Sequence, residues 1–190
     1  MKYYIADTHL CHANIIRLDK RPFKNVDEME REIIARWNAR VQKSDEVYIL
    51  GDFCWKTADD WRRILPKLNG KKFLIKGNHD LNHMPTDIHN MFEGPVMGIK
   101  EIKDGDRTVI MSHYPLLSYK HDYDENVYML YGHVHCTMEF DAIKEAVKTV
   151  TAVNHKAGYD YKGQLYNCWC GYLNYAPATL DEIINNPLTH

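Results

Sequence analysis

The 190-residue sequence has no apolar run approaching the roughly 18 residues that a membrane span needs. Met1-Lys2-Tyr3-Tyr4 enters a strand pattern without signal-peptide features, so the expected location is cytoplasmic. An excess of one charge is also missing. Lys and Arg number 24 against 26 Asp and Glu, a net charge of -2, which provides no basic footprint for non-specific nucleic-acid binding. Cysteine is sparse and odd in number, five residues without a C-x-x-C pair, so reduced thiols are expected and not a disulfide framework. Cys168-x-Cys170, with Cys11, His12 and Cys136, offers zinc-type side chains, but the spacing matches no common finger pattern. Repeats, low-complexity tracts and linkers are absent too. With 45% hydrophobic and 26% charged residues, a single domain over residues 1–190 is expected.

Histidine is abundant, at 11 residues, and its placement matters more than its number. His9, His79, His113, His133 and His135 each follow a short apolar run. Residues 3–6 read as a buried strand leading to Asp7-Thr8-His9, and residues 46–50 as a second leading to Gly51-Asp52. Residues 73–75 read as a third strand, leading to Gly77-Asn78-His79-Asp80. Between the first two, a loop or short helix over 10–23 is followed by helical spacing at Met29, Ile33, Ile34, Trp37 and Val41. Asp27, Glu28 and Glu30 lie in that helix's first turn, where they favour its dipole. Thr57 caps a further helix running to Leu65. This alternation is that of a parallel sheet.

Beyond Asp80 the order changes. Residues 96–102 and 107–111 flank Lys103-Asp104-Gly105-Asp106 as an antiparallel hairpin, whose second strand leads to Ser112-His113. Residues 127–131 lead to Gly132-His133-Val134-His135. Helical spacing over 140–153, a closing strand within 164–169 and a helical turn over 180–184 complete the pattern.

The strand-end groups are therefore Asp7, His9, Asp52, Asn78, His79, His113, His133 and His135. Carboxylate, imidazole and amide oxygen together suit borderline first-row divalent ions, whereas Ca²⁺ prefers oxygen alone and soft ions prefer thiolate. One ion cannot use so many ligands. Two ions about 3.5–4 Å apart can, and such pairs clamp the attacking and leaving oxygens of an in-line displacement at phosphorus. Taken singly, Asp7 reads as a helix cap, Asp52 as a turn residue and His113 as a core histidine. Their common position after buried strands, in one compatible order, overturns those readings.

Asp7-x-His9, Gly51-Asp52, Gly77-Asn78-His79-Asp80, Ser112-His113 and Gly132-His133-x-His135 resemble, in that order, the motif series of the calcineurin-like metallophosphoesterases. The resemblance spans about residues 3–135, and residues 175–182 resemble the closing segment of small bacterial and phage members. It implies an α/β fold of mixed α+β type, a four-layer αββα sandwich of two mixed sheets. It further implies that Asp7, His9 and His135 hold one metal ion, that Asp52 bridges, and that Asn78, His113 and His133 hold the other. The ions are Mn²⁺, Fe²⁺ or Fe³⁺, Zn²⁺, Ni²⁺ or Co²⁺, all of which tolerate these ligands. In that family a bridging hydroxide attacks phosphorus. His79 is then the catalytic group at the leaving oxygen, with Asp80 orienting it, and Arg21 and His12 are expected to contact the substrate.

The expected function is hydrolysis of phosphomonoesters or phosphodiesters, on a small or nucleotide-like substrate and not on long nucleic acid. A binding scaffold that kept the fold and lost catalysis is the alternative, yet every ligand and His79 are present. A metallo-β-lactamase-type hydrolase needs a His-x-His-x-Asp-His segment, which the chain lacks. Residues 140–163 depart from the shortest members of the family, and a cap over the site and an oligomer contact are both open for them.

Overall fold

Strands that are apolar on both faces need cover on both faces, and β1 (Lys2–Ile5) sets the pattern. Tyr3 and Ile5 join a core shared with helices, while Tyr4 and Ala6 join a second core shared with another sheet. The computed structural model describes residues 1–55 and 57–190. Among these, β1, β2 (Glu46–Ile49) and β3 (Lys71–Leu74) form a parallel sheet in the order β1-β2-β3.

The crossovers of this sheet are helical, as the alternation requires. Helices α1 (Ala13–Leu18) and α2 (Val26–Arg40) connect β1 to β2. Helix α3 (Ala58–Ile64), extended by a 3-10 turn at Leu65–Lys67, connects β2 to β3. Asn25 starts α2 by accepting from the Glu28 amide, and Met29, Ile33 and Trp37 are its buried face. Trp37 also donates its indole N–H to the Asn69 carbonyl at 3.0 Å, so its polar edge is satisfied inside the core. Thr57 and Asp60 form a reciprocal capping box on α3.

The second sheet has the order β4-β5-β6-β7, from β4 (Ile99–Asp104), β5 (Arg107–Ser112), β6 (Val127–Tyr131) and β7 (Leu165–Asn167). The expected hairpin is present, with β4 and β5 antiparallel from Ile99 opposite Ser112 to Asp104 opposite Arg107. Strands β5, β6 and β7 are parallel, so this sheet is mixed. The named strands of the first sheet are all parallel, and its antiparallel element is the isolated Tyr4–Ala178 bridge. A short helix, α4 (Thr86–His89), precedes the hairpin, and α6 (Leu180–Ile184) closes the chain against the inter-sheet core.

Alternation along the second sheet assigns the remaining layers. Val109, Met111 and Leu130 face the first sheet, whereas Ile110, Met129 and Tyr131 face away. That outer face is covered by α5 (Met138–Lys156), through Phe140 with Ile143, Val147 and Val150. The layers therefore run α2/α3, first sheet, second sheet, α5, which is the four-layer αββα sandwich. Residues 140–156 thereby serve as the outer layer. Among the described residues, no helix is long and apolar enough to cross a membrane.

Candidate metal centre

The two sheets bring five strand ends to one edge. Asp7 and His9 follow β1, Asp52 follows β2, Asn78 follows β3, His113 follows β5, and His133 and His135 follow β6. The loops carrying them turn sharply. Asp7, His9, Asp52, His133 and His135 all have left-handed backbones, with φ of 56, 46, 51, 72 and 47°. Such a conformation costs a non-glycine residue roughly 1–3 kcal/mol and persists where the surroundings enforce it, typically at functional sites. Neighbouring glycines admit the close approach. A Cβ on Gly132 would lie 2.7 Å from Asp7 Oδ2, and one on Gly77 would lie 2.3 Å from Asp52 Oδ1.

Among the described residues, two groups of side chains could each hold a metal ion: Asp7, His9 and His135, and Asp52, His113 and His133. Within each group the ligand atoms lie within 4.8 Å of one another. Asp52 Oδ2 stands 3.5 Å from His9 Nε2 and 3.5 Å from His113 Nε2, so one carboxylate oxygen faces both groups. Asn78 Oδ1 lies 2.9 Å from His113 Nε2 and completes the second group with an amide oxygen.

The hydrogen-bond partners of the imidazoles suit a cation. His113 Nδ1 donates to the Leu50 carbonyl at 2.8 Å, which leaves the Nε2 lone pair facing Asn78 Oδ1 and Asp52 Oδ2. His135 Nδ1 donates to Asp19 Oδ1 at 2.9 Å, which turns its Nε2 towards His9 Nε2, 3.2 Å away. Acceptors thus converge on acceptors, an arrangement that is repulsive unless a cation or a proton lies between them. His9 Nδ1 is buried and has no hydrogen-bond partner among the described residues.

With protons alone, the facing imidazoles separate. Burial and the neighbouring His135 drive His9 well below the usual imidazole range. Burial also pulls on His135, but its hydrogen bonds to Asp19 and Asp7 outweigh that and hold it up at about 9. A divalent ion bound between these rings would displace the His135 proton, since ligating imidazoles must be neutral.

The model of the calcineurin-like phosphoesterase family matches residues 3–168. The chain belongs to that family. It is 32% identical over 187 residues to an uncharacterised protein of Methanocaldococcus jannaschii, covering 96% of this chain and 88% of that one. The gene 66 protein of Mycobacterium phage L5 is 24% identical over 162 residues, covering 72% and 78%. Among solved structures, a protein of unknown function from Aquifex aeolicus superposes with a TM-score of 0.69 at 27% identity, covering 96% of this chain and 97% of that one. Family and ligand groups together support a metal-dependent phosphoesterase.

The other residues singled out from the sequence of this calcineurin-like phosphoesterase divide sharply. His79 belongs to neither ligand group. Its backbone N–H donates to Asp52 Oδ1 at 2.8 Å, and its exposed ring lies 4.5 Å from Trp55 and 5.7 Å from His9. His12 reaches the same cleft and stacks on Trp55 at 4.1 Å, nearly parallel.

Two expectations need correction. Asp80 does not orient the imidazole beside it. Its carboxylate is buried and accepts from the amides of Asp52, Phe53 and Gly77 at 3.1, 2.9 and 2.8 Å, which ties the β2 exit to the β3 exit. Burial raises this carboxyl to about 6, against the pull of those amides. Arg21 is not positioned to touch a substrate either. Its side chain is fully buried and donates to the carbonyls of Asp7 and Thr8 and to Asp19.

The cysteines stay apart from the metal groups. Cys168 and Cys170 are buried, and Cys170 donates its S–H to the Asp7 carbonyl at 3.2 Å. No cysteine enters a ligand group among the described residues, so the zinc arrangement considered for them is not formed.

The cleft over the centre measures about 380 Å³. Its polar side is formed by His9, Asp52, His79, His133 and His135, and its other side by His12, Ile15, Leu18 and Trp55. The sequence did not single out Trp55, Leu18 or Asp19. A carboxylate supporting a histidine 116 positions away leaves no local spacing to read.

Proposed function

We propose that this protein hydrolyses small phosphoesters, mono- or diesters, using two divalent ions. The ligands are Asp7, His9 and His135 for one ion, and Asn78, His113 and His133 for the other, with Asp52 shared. The observation that carries this reading is the position of Asp52 Oδ2, 3.5 Å from an imidazole nitrogen of each group. Ions bound there polarise the phosphoryl oxygens and make a water nucleophile available near neutral pH.

The chain's own contribution is placement and proton transfer. The strained loops hold the ligands before substrate arrives, and such preorganisation is what makes electrostatic catalysis effective. His79 lies at the cleft with its backbone fixed on Asp52, so its imidazole is free to hold a proton at the leaving oxygen. The Trp55–His12 stack, Ile15 and Leu18 give the cleft an apolar wall that suits a planar or apolar ester group, as in a nucleotide. The net charge of -2 favours such a substrate over long nucleic acid. The catalytically silent scaffold is disfavoured by the completeness of the ligand set and by His79.

The test is a screen of the metal-free protein with Mn²⁺, Fe²⁺, Zn²⁺, Ni²⁺ and Co²⁺ against model monoesters, diesters and cyclic nucleotides. Turnover with at least one metal is expected, and its absence with all of them would leave the scaffold reading standing. Asp52→Asn is expected to lose metal and activity together. His79→Ala is expected to keep both ions and lose about 10²–10⁴-fold in turnover, the usual contribution of general acid catalysis. Loss of metal from His79→Ala would refute its assignment.

A further inference from the structure

Three buried side chains that are not ligands fasten the ligand loops, Asp80 for one group and the Asp19–Arg21 pair for the other. Asp80 joins the loops after β2 and β3. Asp19 and Arg21 join the loops after β1 and β6, and their arrangement is more elaborate. Arg21 donates Nε and Nη2 to Asp19 Oδ2 at 3.1 and 2.8 Å. The same guanidinium donates Nη1 to the Thr8 carbonyl at 2.7 Å and Nη2 to the Asp7 carbonyl at 2.9 Å. Asp19 spends its other oxygen on His135 Nδ1 at 2.9 Å. One ion pair therefore grips the Asp7-Thr8-His9 backbone, in which Asp7 and His9 are left-handed, and orients the imidazole that arrives from the far sheet.

Both groups have buried members, His113 and Asp52 at 1 and 2% in the second, and they differ in their most open ligand. Asp7, His9 and His135 are all buried, at 0, 3 and 9% exposure. In the second group Asn78 is exposed and His133 half-buried, packed edge-on against Tyr114 and His113.

We infer that Asp19 and Arg21 act as a clasp that prebuilds the Asp7–His9–His135 site, making it the tightly held site, while the ion at Asn78, His113 and His133 exchanges readily. Both are positioning residues. The physical basis is that a carboxylate on the distal nitrogen of a ligating histidine fixes its tautomer and raises its basicity, and losing such a partner costs about 10–100-fold in metal affinity. Arg suits the task because its planar fork reaches one carboxylate and two carbonyls at once, which a lysine cannot do. The inference rests on the proposed two-ion reading, and the measurement separates the two.

Mn²⁺ is titrated into the metal-free protein by calorimetry, with electron paramagnetic resonance reporting whether bound ions are coupled as a pair. The wild type is expected to take up two ions in two resolved steps. His133→Ala is expected to keep the tight step, and adding Asp19→Ala to it to weaken that step about 10–100-fold. In a His9→Ala background, where the exchangeable site remains, Asp19→Ala is expected to change nothing beyond twofold. Asp19→Asn keeps the volume and an acceptor for Arg21, and it carries the same comparison if the alanine variant fails to fold by circular dichroism. An unchanged tight step, or equal weakening in both backgrounds, would overturn the clasp. A wild type that binds two ions in this way yet hydrolyses nothing would leave the clasp standing and remove the proposed function; one that binds fewer than two removes both.

Discussion

Replacing Gly77 by alanine tests whether the centre depends on backbone approach as much as on ligand chemistry. A Cβ there would meet Asp52 Oδ1 at 2.3 Å and the Asp52 amide nitrogen at 2.5 Å, well inside van der Waals contact. Neither neighbour yields cheaply. The amide belongs to a left-handed residue and donates to Asp80, and the oxygen accepts the His79 amide. Relief demands that the Asp52 loop retreat by about 1 Å, and overpacking of this kind costs roughly 1–3 kcal/mol. In a chain of this size each kcal/mol lowers Tm by about 2–4 °C, so a fall of roughly 2–12 °C is expected. Misplacing a catalytic constellation by about 1 Å costs on the order of 10²-fold in rate. Calorimetry and turnover at saturating metal measure both effects. Gly98→Ala is the control, because a Cβ there meets nothing within 4 Å, and a change within about 0.5 kcal/mol is expected. A Gly77→Ala protein that melts and turns over like the wild type would refute the reasoning.

Thr57→Ala removes the capping box of α3 and is expected to cost about 1 kcal/mol, read as a small drop in Tm with metal binding intact. Thiol labelling of the native protein is expected to modify Cys136 rapidly, since it is exposed while Cys11, Cys54, Cys168 and Cys170 are buried. All five are expected to react after denaturation, and rapid modification of Cys170 in the native state would contradict its place against Asp7.

The strand ends were legible because each combines a short apolar run with an abrupt polar residue, a contrast that survives without knowledge of neighbours. The hairpin boundary was less so. Residues 96–98 carry strand-like character, yet they lie outside β4 because Met97 is drawn to the first sheet. There it bridges to Ile75, and its carbonyl accepts the Lys76 amide at 2.8 Å. The roles of Asp80 and Arg21 differ from the sequence expectation for a related reason. Adjacency in sequence suggested that Asp80 serves His79, but a turn directs consecutive side chains apart, and the buried carboxylate found three amides instead. The resemblance points Arg21 at the substrate, whereas its guanidinium is used internally. Asp19 could not be read at all, because its partner His135 arrives from the other sheet.

The ligand loops hold strained conformations and are buried, a combination that requires every backbone group in them to find a partner. They do so largely by pairing with one another. Asp7 N–H donates to the Gly51 carbonyl at 3.1 Å, His9 N–H to Asp52 at 3.0 Å and Leu10 N–H to Phe53 at 3.0 Å, continuing the β1–β2 pairing past the ends of the strands. Trp55 N–H then returns to the Leu10 carbonyl at 2.8 Å. The loop that carries two ligands is therefore an extension of the sheet in twisted form, and the apolar wall residue Trp55 is fastened to the same ladder. This explains how left-handed residues that would relax in a free loop stay fixed. It also means that changes to Asp7 or His9 act on a hydrogen-bonded framework shared with Asp52, so the first ligand loop and the shared carboxylate are mechanically one unit.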